Sequence, residues 1–171
     1  AGKSTLLNAL TGAEVGVANR LFETLDPTTR NFELSGRDYL LTDTVGFIEK
    51  LPHQLVEAFK ATLEETTRAD LIVHVVDASE AEERRMVDMH AVDEVLEEIG
   101  AGEKPRLLVL NKADLLSEDE RHEVALAHPD AVLVSALAGE GLEELRERIE
   151  QAFVETLTEV ALLISYDQGG R

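Results

Sequence analysis

Short, nearly continuous apolar runs alternate along the chain with segments whose apolar residues recur every three or four positions. Three of the runs, residues 71–76 (LIVHVV), 107–110 (LLVL) and 132–134 (VLV), have the length and composition of strands buried on both faces. Between them lie amphipathic helical patterns. Leu55, Phe59 and Leu63 share one face, with Pro52 near the helix start. Met89, Val92, Leu96 and Ile99 form a second stripe that Gly100 stops, and Leu142, Leu145, Ile149 and Phe153 form a third. Core packing accounts for all three stripes. Two shorter segments, 31–34 and 39–41, flank Ser35-Gly36-Arg37-Asp38, which reads as a hairpin turn. Strands alternating with helices predict an α/β fold, a mostly parallel sheet with helices on both faces.

Composition narrows the setting. The 171 residues suit one domain, and 44% hydrophobic with 30% charged residues is ordinary for a folded globular protein. No apolar run approaches the roughly 18–20 residues that span a bilayer, and no leader-like segment opens the chain. With no cysteine there is no disulfide, thiolate metal site or cysteine nucleophile, and a cytoplasmic, monomeric protein is expected. Sixteen basic against thirty-five acidic residues give a net charge of −19. Such a surface repels phosphate backbones, and five Phe with two Tyr offer little base stacking, so direct nucleic-acid binding by this domain is not expected.

Four short motifs then stand in order, each beside a predicted strand. Ala1-Gly2-Lys3-Ser4, followed by Thr5, matches the end of a phosphate-binding loop. Its glycine lets backbone N–H groups curl around phosphates, its lysine reaches the β/γ oxygens, and its serine hydroxyl can ligate Mg²⁺. The first strand and half of that loop are expected upstream of Ala1. Asp43-Thr44-Val45-Gly46 follows the strand at 39–41, where Asp43 can reach the Mg²⁺ shell through water and Gly46 can offer its N–H to a γ-phosphate. Asn111-Lys112-Ala113-Asp114 follows the strand at 107–110. The Asp114 carboxylate can accept from guanine N1–H and N2–H₂, a donor pair that adenine lacks. Asn111 would tie the loop together and approach the base edge, while the Lys112 stem lies over the ring. Ser135-Ala136-Leu137 follows the last strand, where backbone N–H groups could meet guanine O6.

Between the first two motifs, residues 21–30 (LFETLDPTTR) hold three threonines, Thr24, Thr28 and Thr29. One of them must close over Mg²⁺ and the γ-phosphate, and spacing does not choose among them. Arg20 and Arg30 flank the segment without a defined aim. Phe47 stands where Ras-like enzymes carry the glutamine that orients the attacking water, which predicts slow hydrolysis without a partner.

The stretch at 21–30, then DTVGFIEKLPHQLVEAFKATLEET from Asp43, then NKAD, then SALAGEGL from Ser135, closely resembles the HflX family of ribosome-associated GTPases. The likeness runs from Ala1 to about Phe153. It implies a P-loop NTPase fold, with residues 1–156 forming a GTP-binding domain and 157–171 the start of a C-terminal one. The family's first switch resembles Phe22, Glu23, Thr24, Leu25 and Asp26, which points to Thr24 as the metal ligand beside Ser4. Lys3, Thr24 and Gly46 then act on the γ-phosphate. The resemblance also implies GTP and GDP as substrate and product, Mg²⁺ as cofactor, and the large ribosomal subunit as partner. Some members separate stalled ribosomes under stress, and some also hydrolyse ATP. The rivals are accordingly a dual GTP/ATP hydrolase and a nucleotide-gated docking module with negligible hydrolysis.

His53 stands beside the second switch, where it could place a water, and by default is an exposed residue in a first helical turn. His74, inside an apolar run, reads as a core histidine. Asp77 reads as a turn cap at a strand end.

Overall fold

The computed structural model describes residues 1–12, 28–43 and 63–156. In chain order it forms α1 (Lys3–Thr11), β1 (Thr28–Leu34), β2 (Arg37–Asp43), helical residues 63–68, β3 (Ile72–Asp77) and α2 (Glu82–Glu98). Then follow β4 (Arg106–Asn111), a 3₁₀ turn (Ala113–Leu115), α3 (Glu118–Ala127), β5 (Val132–Leu133) and α4 (Leu142–Thr156). Strands β3, β4 and β5 pair in parallel in that order, with Asp77 opposite Asn111 at the end of the first pair.

The continuous apolar runs divide between two cores because side chains alternate across a strand. Leu107 and Val109 of β4 join Val132 and Val134, Leu6 and Leu10 of α1, and Leu142, Leu145 and Ile149 of α4. Leu110 faces the other way, with Val76, Ala78 and Val124 of α3, and Met89 of α2 packs against that cluster. Helices therefore cover both faces, as the sequence pattern requires. Leu63 is buried within the helical residues 63–68, while Pro52, Leu55 and Phe59 lie outside the described residues.

The hairpin differs from the expectation at its turn. Only Ser35 and Gly36 form it, with φ of 49° and 77°, and Arg37 and Asp38 belong to β2, opposite Leu34 and Glu33. A two-residue turn with both φ values positive matches the right-handed twist of the strands, and this geometry shortens the loop. Asn31 Nδ2 donates to Asp38 Oδ1 at 3.1 Å across the pair. Phe32 and Leu34 are buried in the core that α1 and α4 share, Tyr39 packs on Phe153 with ring centroids 4.9 Å apart, and the Ser35 hydroxyl donates to Glu150 of α4 at 3.0 Å.

Helix α2 buries Leu96 as its stripe predicts, and also Arg85, which the pattern does not flag. The Arg85 guanidinium donates to Ala78 O at 2.8 Å, to Glu80 O, and through Nε to Glu82 Oε2 at 3.1 Å. It thereby satisfies the carbonyls of the loop that leaves β3. Helix α3 opens on a reciprocal cap between Ser117 and Glu120, with Ser117 N–H donating to Glu120 Oε2 at 2.7 Å.

Candidate nucleotide site

Lys3 opens α1 directly after Gly2, whose φ of 79° and ψ of 34° place it in the left-handed region. The N-cap residue, Gly2, has no side chain with which to cap this helix start, and no acidic residue stands in its first turn. Its leading N–H groups are thus oriented outward with a positive dipole end, the arrangement that receives phosphate. A Cβ on Gly2 would lie 2.7 Å from Asn111 Nδ2, so the position demands glycine by both conformation and space.

Three threads meet here. The Ser4 hydroxyl donates to Asp43 Oδ2 at 2.7 Å, joining α1 to the end of β2. Asn111 Nδ2 donates to Ala1 O at 2.9 Å, and Asn111 Oδ1 accepts from Ala136 N–H at 3.0 Å. Asn111, only 2% exposed, therefore bridges the phosphate loop and the loop after β5. A hydroxyl and a carboxylate brought into contact are hard oxygen donors of the kind that Mg²⁺ takes, so Ser4 and Asp43 fit that ion.

The loop after β4 is fixed residue by residue. Lys112 takes a left-handed conformation, φ 73°, and its ammonium pairs with Asp77 Oδ2. Ala113 N–H donates to Val134 O at 3.0 Å. The exposed Asp114 accepts the hydroxyl of Ser135, itself fully buried, at 2.5 Å on Oδ1. The carboxylate keeps further lone pairs that can meet guanine N1–H and N2–H₂.

The run Ser135-Ala136-Leu137 differs from the expectation. Ser135 N–H donates to Glu140 O at 3.0 Å, and Ala136 N–H is taken by Asn111. Ser135 contributes through its hydroxyl instead, which both grips Asp114 and accepts Ala138 N–H at 3.0 Å. Within the run, Leu137 N–H has no partner among the described residues, and the residue is 82% exposed.

Asp77 does cap its turn, with Oδ1 accepting Ser79 N–H at 3.0 Å and Ser79 Oγ–H at 2.6 Å. It also holds Lys112, a contact that no sequence spacing announces. Burial raises its pKa, and the hydrogen bonds from Lys112 and Ser79 outweigh burial, leaving the carboxyl below its ordinary value.

Thr28 and Thr29 open β1, and the Thr29 hydroxyl shares a 2.8 Å hydrogen bond with Thr42. Thr24 lies outside the described residues, as do Phe22, Glu23, Leu25, Asp26, Thr44, Val45, Gly46, Phe47 and His53.

A family model described as a 50S ribosome-binding GTPase matches residues 1–112. A GTPase HflX from Caldanaerobacter subterraneus subsp. tengcongensis is 47% identical over 169 residues, 98% of this chain. The chain belongs to the HflX family of GTPases. The GTPase HflX of Escherichia coli K12 is 45% identical over 159 residues, 88% of the chain. The chain spans 38% of the first HflX relative's length and 36% of the second's. The fold is that of solved P-loop GTPases. A GTP-binding protein from Sulfolobus solfataricus, in complex with GDP, superposes with a TM-score of 0.67 at 31% identity, covering 90% of this chain and 49% of that one.

Proposed function

We propose that this HflX domain binds GTP and GDP with Mg²⁺ and hydrolyses GTP slowly on its own. It serves in a factor that acts on the large ribosomal subunit, in the separation or rescue of stalled ribosomes. Family membership supports the hydrolysis and the class of partner. The observation that carries the site is the Asn111 bridge, which draws the phosphate loop and both base loops together through Ala1 O and Ala136 N–H.

In this reading Ala1, Gly2, Lys3, Ser4 and Thr5 cradle the phosphates, with Lys3 as a point charge on the β/γ oxygens. Ser4 and Thr24 are the direct Mg²⁺ ligands and Asp43 stands in the outer shell. When bound, the ion neutralises charge on the phosphate oxygens. Gly46 offers its N–H to the γ-phosphate. Asp114, steadied by Ser135, reads the base edge, and Leu137 N–H is the donor from its run for O6.

The base assignment is tested by Asp114→Asn. Xanthine carries an oxygen where guanine carries an amine, so the amide side chain should weaken GTP binding by at least about tenfold and improve binding of xanthosine triphosphate. Equilibrium competition with both nucleotides reads this directly. An unchanged base preference defeats the assignment.

A further inference from the structure

We infer that Asp77 is a positioning residue for the guanine nucleotide, acting by holding the Lys112 side chain in the orientation that the bound nucleotide uses. The inference rests on the assignment of residues 111–114 to the base and goes beyond it, since Asp77 belongs to none of the four motifs.

Every other member of that loop is tied from outside. Asn111 is held by Ala1 and Ala136, Ala113 by Val134, and Asp114 by Ser135. Lys112 is held by Asp77. A lysine stem loses rotamer freedom when it is fixed, so an untied Lys112 would have to be ordered by the nucleotide itself. Lys112 also sits in the left-handed region, which a residue with a Cβ occupies only where its surroundings enforce it.

Asp77 is placed to hold the Lys112 side chain. Parallel register puts it opposite Asn111, one residue before the lysine, and Ala78 N–H extends the pairing to Asn111 O at 2.7 Å. Its side chain is 13% exposed against 39% for that of Lys112, so the carboxylate is the fixed partner and the lysine the adjustable one. Ser79 braces Oδ1 with two hydrogen bonds, leaving Oδ2 to the ammonium. The charged carboxylate is therefore shared between a turn and the base loop, and the turn alone does not require the second contact.

The test is a double-mutant cycle on GDP affinity in the full-length protein, using Asp77→Asn, Lys112→Ala and the pair, with Ser79→Ala as a control. Asp77→Asn should weaken GDP binding about tenfold, and should change it less than about twofold once Lys112 is alanine. Ser79→Ala, which removes the hydroxyl half of the brace and keeps the backbone N–H and the ion pair, should weaken binding less than Asp77→Asn. Asp77→Ser keeps an acceptor for Ser79 without the charge and gives a second arm if the Asn variant folds poorly. The inference is overturned if GDP binding is unchanged or tighter in the Asp77 variants. It is equally overturned if the loss persists in the Lys112→Ala background or if Ser79→Ala reproduces it. Failure of the base assignment is distinct, because Asp114→Asn would then leave the guanine-over-xanthine preference intact whatever the cycle gives.

Discussion

His74 points from the middle of β3 into the interior with only 8% of its surface exposed. Burial, chiefly, and the nearby Arg106 guanidinium lower its pKa from 6.5 to about 4, while Asp93 pulls the other way. The neutral ring is thus the native form. An unfolded chain takes up a proton near pH 6.5, and the folded one resists until about pH 4. Between those values the unfolded state binds more protons, so this residue's share of stability is complete above pH 6.5 and is lost as pH falls toward 4. The loss at pH 5 should be on the order of 2 kcal/mol. Urea midpoints at pH 7.5 and pH 5 should separate less in His74→Gln than in the parent; an equal separation would mean that other groups carry the acid sensitivity. That His74 is a core residue was readable from its apolar run. Its charge state was not, because Arg106 and Asp93 reach it only through the folded sheet.

At the scale of elements, the site is a set of loops locked to one another, and Gly2 is where the lock is tightest. Gly2→Ala would force a Cβ to within 2.7 Å of Asn111 Nδ2 and place it on a backbone with φ of 79°. Asn111 would have to leave its contacts with Ala1 and Ala136, so GDP affinity should fall by roughly tenfold or more. Fluorescence titration of the variant checks this, and wild-type affinity would show that the two loops are not coupled. The elements themselves were largely legible. Residues 107–110 read as a strand because both their faces are covered, and the apolar stripe of α4 fixes its inner face. The hairpin turn was less so. Ser35 adopts a positive φ without being glycine, asparagine or aspartate, and the polar Arg37 and Asp38 look like loop while they pair as strand. The link between Asp77 and Lys112 was hidden for another reason. It depends on parallel register between strands far apart in sequence, which no local pattern encodes. The reciprocal cap on α3 between Ser117 and Glu120 was not singled out by the apolar pattern, which marks buried faces and not helix ends.

At the scale of the whole molecule, a tied set of proposed base-binding residues stands beside a proposed catalytic set that has no side chain for the attacking water. Phe47 offers no donor or acceptor for the attacking water. Ras, which has the glutamine, hydrolyses alone at only about 10⁻⁴–10⁻³ s⁻¹, and a partner's arginine adds roughly 10³–10⁵-fold. A net charge of −19 disfavours contact with ribosomal RNA, so the proposed subunit is expected to engage this domain through basic protein surface. The most direct measurement is single-turnover GTP hydrolysis by the full-length protein, with and without large ribosomal subunits. The rate of the protein alone should be no faster than about 10⁻³ s⁻¹, and the subunits should stimulate it at least about tenfold. Fast turnover by the protein alone, or no stimulation when subunits are present, would contradict it.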